Sequence, residues 1–255
     1  NLFWTGRYLE RTELATRLMR TILRKHREVQ NLEVPGAGDC LLGLLRALTH
    51  VTGSYPGFVA EEAGPLLDNP REELIEIAWA DDREGSIAAT LASFRYAAAA
   101  VRELWPADTW RVIDECYNDW SPGPTQVGSL PRLQNSLDHL IIRLGAFSGL
   151  MAESMAREAN WLMLDIGRRL ERGLGQIALL RATLVPVQEE SVAQQLMEAV
   201  LATCESLILY RRRYRSYLHL PTVLELLLMD KQYPRSLAYQ LRLLQVHLEH
   251  LPQDP

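Results

Sequence analysis

The chain carries three cysteines in 255 residues, Cys40, Cys116 and Cys204, and no two of them form a CxxC pair. Odd in number and widely spaced, they exclude a disulfide framework and a cysteine zinc site. They read as small buried hydrophobes in a reducing, cytoplasmic compartment. Asn-Gly and Asp-Gly are absent and β-branched residues never alternate over a useful length, so there is no hairpin signal. No apolar run approaches the roughly 18 residues of a membrane span. The densest, Val223 to Met229, is closed by Asp230 and Lys231. A formal net charge of -5 excludes the dominant basic face of a general nucleic-acid binder. The chain also lacks GxxxxGK[ST] and any Gly-rich strand-turn-helix unit, which leaves no site for ATP.

What the chain has in quantity is helical periodicity, in a composition 47% hydrophobic and 23% charged that suits a folded globular protein. Leu14, Leu18 and Ile22, with Ala15 and Met19, predict a first helix that runs until Pro35-Gly36 and Gly38. Asp39 is the expected cap of a second, from Cys40 to about Val51. A third spans Glu72 to Trp79. Asp81 or Asp82 then caps an alanine-rich helix from about Gly85 to Leu104, and Pro106 opens another to about Trp120. Ser121-Pro122-Gly123-Pro124 through Gly128 reads as a linker. Beyond it the pattern predicts helices over Leu130 to Leu150, Glu153 to Leu184, Glu189 to Tyr214, Pro221 to Asp230, and Pro234 to about His250. The expectation is an all-α bundle, one domain built from two related halves: a repeat over 1–120, a linker at 121–129 and a second repeat over 130–255.

Duplication is written in the motif itself. Gly6-Arg7-Tyr8-Leu9-Glu10-Arg11 returns as Gly167-Arg168-Arg169-Leu170-Glu171-Arg172, with five of six positions identical. On a helix Glu10 lines up with Phe3, Gly6 and Leu14, and Glu171 with Leu164, Gly167, Leu174 and Ala178. Both glutamates therefore fall on an apolar stripe and should be at least half buried, where a carboxylate must be paired, hydrogen-bonded or protonated. Arg7 and Arg168, three residues before each Glu, are the expected local partners. Gly6 and Gly167 cost their helices about 1 kcal/mol each relative to alanine, which points to a close neighbour or ligand. If the halves pack about a pseudo-twofold axis, the two sets converge on one polar site. The competing reading is a pair of buried salt-bridge clamps that fix the helix crossing.

Other polar groups are secondary candidates. Asp81-Asp82-Arg83-Glu84-Gly85-Ser86 and Asp230 through Pro234-Arg235-Ser236 both enter helices, and Arg235 with Ser236 is a candidate anion contact. Arg211, Arg212, Arg213 and Arg215 alternate with Tyr210, Tyr214 and Tyr217, as an anion-binding or a solvated face. No histidine follows Glu10 or Glu171 by three residues, which disfavours a ferritin-like di-metal site. Asp81-Asp82-Arg83-Glu84 has no acidic counterpart in the second half, which disfavours a prenyl-diphosphate magnesium site. His247 and His250 share a helical face and read as solvated. No metal is expected.

With these residues in view the chain resembles the alpha-E family, all-helical bacterial proteins named for a Glu-Arg motif. The resemblance spans the whole length. Its carriers are Asn1-Leu2-Phe3-Trp4 with the first motif, Gly85-Ser86-Ile87, Arg102-Glu103, Trp110, Trp161 with the second motif, Tyr210-Arg211, and Asp230 to Leu241. The sequence departs from the family pattern at Glu84-Gly85 and at Tyr233. The resemblance implies a setting beside or fused to circularly permuted ATP-grasp ligases and transglutaminase-like proteases, where amide bonds are made and cut. It implies an accessory or co-catalytic module of a carboxylate-amine ligase, with ATP and magnesium held by the partner. The start at Asn1, not Met, almost on top of the first motif, is expected of a domain cut from a longer chain. The expected site is Arg7, Glu10, Arg11, Arg168, Glu171 and Arg172 with Tyr210 and Arg211 nearby, suited to an amine or amino-acid zwitterion.

Overall fold

A computed structural model describes residues 1–120, 129–215 and 217–252. The expected linker lies outside them except for Ser129. Among the described residues there are twelve α-helices and no strand. The first half holds α1 (Leu2–Asn31), α2 (Ala37–Thr52), a short α3 (Gly64–Asp68), α4 (Arg71–Trp79), α5 (Ile87–Ala99) and α6 (Ala107–Asn118). Then come α7 (Leu130–Ser154), α8 (Ala159–Leu184), α9 (Glu190–Thr203), α10 (Leu207–Tyr214), α11 (Leu220–Leu224), a π-helical turn over Glu225–Met229, and α12 (Leu237–His250). No single described helix is long and apolar enough to cross a membrane.

Several boundaries differ from the periodic reading, each for a local reason. Gly36, in the left-handed region at φ 77°, caps α2, so Asp39 falls inside the first turn. Ser86, not Asp81 or Asp82, caps α5. Its Oγ accepts from the Ala89 N–H at 3.0 Å and donates to the Ala80 carbonyl at 2.5 Å. Ser236 repeats that arrangement at α12, accepting from the Tyr239 N–H at 3.1 Å and donating to the Asp230 carbonyl. The segment from Glu189 to Tyr214 is two helices bent by 118°. Glu205 turns the chain between them with φ 57°, as Gly53 does after α2 with φ 75°. The helix expected from Glu153 begins only at Ala159, because the chain turns between Ser154 and that residue.

The core is organised around α1 and α8. α5 packs on α1, α12 packs on α8, α2 touches both, and α7 lies against α1, α4 and α6. Threonine is frequent on the buried face of α1, and Thr5, Thr12, Thr16 and Thr21 each return the hydroxyl proton to the carbonyl four residues back. Buried hydroxyls there need no partner from another helix. Trp105 and Trp120 bury their rings and donate their indole N–H groups to the Ala98 and Ala78 carbonyls, both at 2.8 Å. The three cysteines are free and buried, and burial pushes the thiols up, Cys40 and Cys204 to about 11 and Cys116 to about 12.

α1 and α8 run parallel, with Phe3, Arg7 and Leu14 facing Gly167, Glu171 and Gly175. Their backbones touch. A Cβ on Gly6 would overlap the Leu164 carbonyl oxygen, and one on Gly167 would overlap the Phe3 carbonyl oxygen. In the register that matches Gly6 with Gly167, Phe3 corresponds to Leu164, so the two overlaps are the same contact seen from each side. The obstruction is backbone on both sides and has no flexible end to swing away. Gly167→Ala is therefore expected to lose about 3 kcal/mol in denaturant unfolding. Gly145→Ala, in α7 with nothing within 4 Å of its added Cβ, should be neutral or stabilising by up to about 1 kcal/mol.

Candidate functional site

The glycine contact brings the two Glu-Arg motifs face to face, and their charges are exchanged between helices. Glu10 accepts from Arg168 Nε at 3.1 Å and from Arg172 Nε and Nη2 at 2.8 and 2.6 Å. Glu171 accepts from Arg7 Nε at 2.6 Å and from Arg11 Nε at 2.7 Å. Each glutamate is thus held by the arginines of the other copy. The expected pairing of Arg7 with Glu10 and Arg168 with Glu171 is corrected. With the backbones in contact, an arginine side chain long enough to climb one turn reaches the facing helix instead. The glutamates are 4% and 8% exposed, deeper than half buried, and the two sets do converge.

Around this shared centre the two copies differ. Beside Glu10 and Arg172 lies a small pocket that also reaches Glu13, Arg17, Cys204 and Arg235. It holds about 380 Å³ of empty space, mouth included. Beside Glu171 the corresponding pocket holds about 1100 Å³, with Arg7, Arg11, Glu84, Thr90 and Ala178 among its walls. The first is closed by charge: Arg17 bridges Glu13 at 2.9 Å and also pairs with Glu205, and Arg235 reaches Glu13 at 3.0 Å. In the register of the two motifs Glu13 and Arg17 correspond to Leu174 and Ala178, in the register that matches Ser236 with Ser86 Arg235 corresponds to Gly85, and Gly53 makes after α2 the left-handed turn that Glu205 makes after α9. The two ion-paired latches are gone, and the space they filled is open.

The surrounding charges follow from the same packing. Burial would raise the Glu13 carboxyl, but Arg235, Arg172 and Arg17 outweigh it and hold the group down at about 2. Burial likewise opposes the charge on Arg172, yet Glu10 and Glu13 raise it above its ordinary value. Asp165 is lowered: burial acts upward, and Arg169, Arg168 and a bond from His247 act downward more strongly.

The remaining sequence candidates separate. Arg235 reaches the Glu10 pocket as one of its latches, whereas Ser236 is buried at the start of α12, where its hydroxyl caps the helix and bonds the Asp230 carbonyl. Tyr210 and Arg211 are not at the centre. Tyr210 is buried under α11, where its hydroxyl meets Thr222 Oγ1 at 2.6 Å and the His219 N–H at 3.0 Å. Arg211 pairs on the surface with Glu198 at 2.8 Å. The Arg/Tyr stretch is partly neutralised, since Arg213 pairs with Asp230 and Tyr217 donates to Glu190 at 2.6 Å. His247 is not solvated. It is buried against Trp161 and bonded to Asp165 at 2.8 Å, while Asp165 also receives Arg169 Nε at 2.7 Å. The Glu13–Arg17 spacing was a visible helical pair, but nothing in the sequence links Asp165 to His247 or Glu13 to Arg235.

Two outcomes test this electrostatic account. Glu10→Ala leaves Arg168 and Arg172 without their carboxylate and should cost about 3–5 kcal/mol in denaturant unfolding. The Glu13 carboxyl lies below its ordinary 4.5 in the folded chain. Its stabilisation is therefore complete above pH 4.5 and is lost as pH falls through 2. Unfolding free energy should drop across that window, and Glu13→Gln should flatten the drop.

Comparison with known proteins completes the placement. The chain is 35% identical, over 99% of its length, to uncharacterized proteins of Mycobacterium bovis and Mycobacterium tuberculosis. It spans only 29% of the length of these relatives. No solved structure matches it. Residues 1–255 match Alpha-E, a predicted alpha-helical domain with a conserved ER motif. Two Glu-Arg dipeptides, Glu10-Arg11 and Glu171-Arg172, face each other between α1 and α8, and the chain belongs to the Alpha-E family.

Proposed function

We propose that this domain is a helical binding module of an ATP-dependent carboxylate-amine ligase system, with the Glu171 pocket as its site for an amine or amino-acid-like ligand. The observation that carries this reading is the mixed charge of an open pocket. Arg7 and Arg11 offer guanidinium groups, Glu171 and Glu84 offer carboxylates, and Thr90 and Ser93 add hydroxyls. A zwitterion is matched by such a wall at both ends, and a mixed-charge lining gives orientation as well as affinity. ATP and magnesium belong in this reading to an ATP-grasp partner, fused or separate, and a transglutaminase-like protease is a further partner. The small share of the curated relatives that the chain covers leaves room for such domains.

Glu171→Gln in the ligase system, read as amine-dependent ADP release, tests the reading. A binding role predicts that KM for the amine rises about tenfold or more while kcat stays within about threefold. Loss of kcat with KM kept would instead make Glu171 a catalytic acid or base in a shared active site. Unchanged kinetics with a lowered melting temperature would leave only a structural clamp and contradict the proposal.

A further inference from the structure

The two copies of the Glu-Arg device differ in a consistent direction. On the Glu10 side the arginines are consumed by the protein: Arg172 gives both Nε and Nη2 to Glu10, and Arg168 lies between Glu10 and Asp165. On the Glu171 side Arg7 and Arg11 each donate through Nε alone. Among the described residues no protein hydrogen bond falls on their terminal Nη atoms. Two guanidinium groups are therefore anchored by one carboxylate, with their forked ends unfilled at the edge of the open pocket. Anchoring by Nε fixes the planes of both forks before a ligand arrives.

The differences continue one turn further on. Where the α8 copy has Asp165 and Arg169, the α1 copy has Trp4 and Tyr8. Asp165 and Arg169 are sealed by α12, which supplies His247 to the first and Gln240, at 3.0 Å, to the second. Trp4 and Tyr8 are not sealed. In the register that matches Ser86 with Ser236, the residue opposite His247 is Ala97, and the rings of Trp4 and Tyr8 stack 5.7 Å apart beside it. Together with Tyr96 they line a second hollow of about 870 Å³ that shares Tyr8 and Ser93 with the Glu171 pocket. Trp4 is 45% and Tyr96 80% exposed. The Arg7 guanidinium lies 5.3 Å from the Trp4 ring and joins the charged end to the aromatic end.

We infer that the Glu10 copy is a closed strut and that the Glu171 copy binds the C-terminal end of a peptide, with the carboxylate on the Arg7 and Arg11 forks and an apolar or aromatic side chain over Trp4, Tyr8 and Tyr96. This rests on the reading of the pocket as a ligand site, keeps the carboxylate that the zwitterion reading places on Arg7 and Arg11, and drops the need for a free ammonium group. Charge favours a monoanion. Two arginines and two glutamates stand in the same lining, so a carboxylate adds one net negative charge to a neutral wall and a phosphate dianion adds two. The continuity of the two hollows favours an elongated ligand over a free amino acid. Exposed aromatic rings beside a fixed cation suit an apolar side chain next to a carboxylate.

The test uses the 255-residue chain with tryptophan indoles labelled for NMR, titrated with N-acetyl-Ala-Phe, its C-terminal amide and inorganic phosphate. The acid should shift the Trp4 indole resonance saturably, and the amide should bind at least tenfold more weakly. Ala178→Arg made together with Leu174→Glu rebuilds the Glu13–Arg17 pair of the closed copy without adding net charge, and should weaken the acid at least tenfold with an unchanged melting temperature. Tyr96→Ala, at an exposed position, should weaken it about threefold or more. An amide that binds as well as the acid, in a way sensitive to that pair of changes, would overturn the carboxylate assignment and leave the pocket a ligand site. Phosphate binding tighter than the acid would assign a phosphorylated ligand instead. Absence of any shift sensitive to the Leu174→Glu and Ala178→Arg pair with all three probes would overturn the inference, whereas the amine reading beneath it stands or falls on the Glu171→Gln kinetics.

Discussion

The contact between the backbones of α1 and α8 at Gly6 and Gly167 is the constraint on which the rest of the molecule depends. With any side chain at either position the helices would stand further apart, and the arginines of one motif would not reach the glutamate of the other. With glycine at both, two parallel helices approach closely enough for four guanidinium groups and two carboxylates to share one centre. Dispersion from such a close crossing is small per atom and large in sum, and it offsets part of the cost of burying the charges. Stability and the polar site thus have one origin.

The exchange of partners also makes the two motifs interdependent. The contacts are reciprocal, so removing either motif would strand the arginines of the other. The centre therefore ties the two motifs together, while the residues around them differ. One surrounding has gathered Glu13, Arg17, Glu205 and Arg235 into latches, with Asp165, Arg169, Gln240 and His247 sealing the turn beside them. The other has Leu174, Ala178, Gly53 and Gly85 at the latch positions, and the rings of Trp4 and Tyr8 where Asp165 and Arg169 stand. The Glu10 side is thus closed by ion pairs, and the Glu171 side is left open.

Much of this was legible in the sequence, and the limits are physical. Period-four leucines located α1, and five identities in six marked α1 and α8 as counterparts before any contact was known. The burial of Glu10 and Glu171 followed from their place on an apolar stripe. Partner choice did not follow, because helical spacing describes one helix at a time and Arg7 is close to Glu10 in the chain but bonded to Glu171 in space. Tyr210 was misplaced for a related reason: periodicity ran unbroken through Glu205, whose left-handed backbone turns α10 away from the line of α9. The open pocket was invisible because it is made of absences, Gly53, Gly85 and Ala178, whose meaning appears only when the latches of the other copy are seen.

The reciprocal clamp is tested most directly by double-mutant cycles on unfolding free energy, comparing the pair Arg7 and Glu171 with the pair Arg7 and Glu10, each changed to glutamine. The account predicts a coupling of about 1–3 kcal/mol for the first pair and below about 0.5 kcal/mol for the second. Strong coupling within α1 and none across to α8 would contradict it.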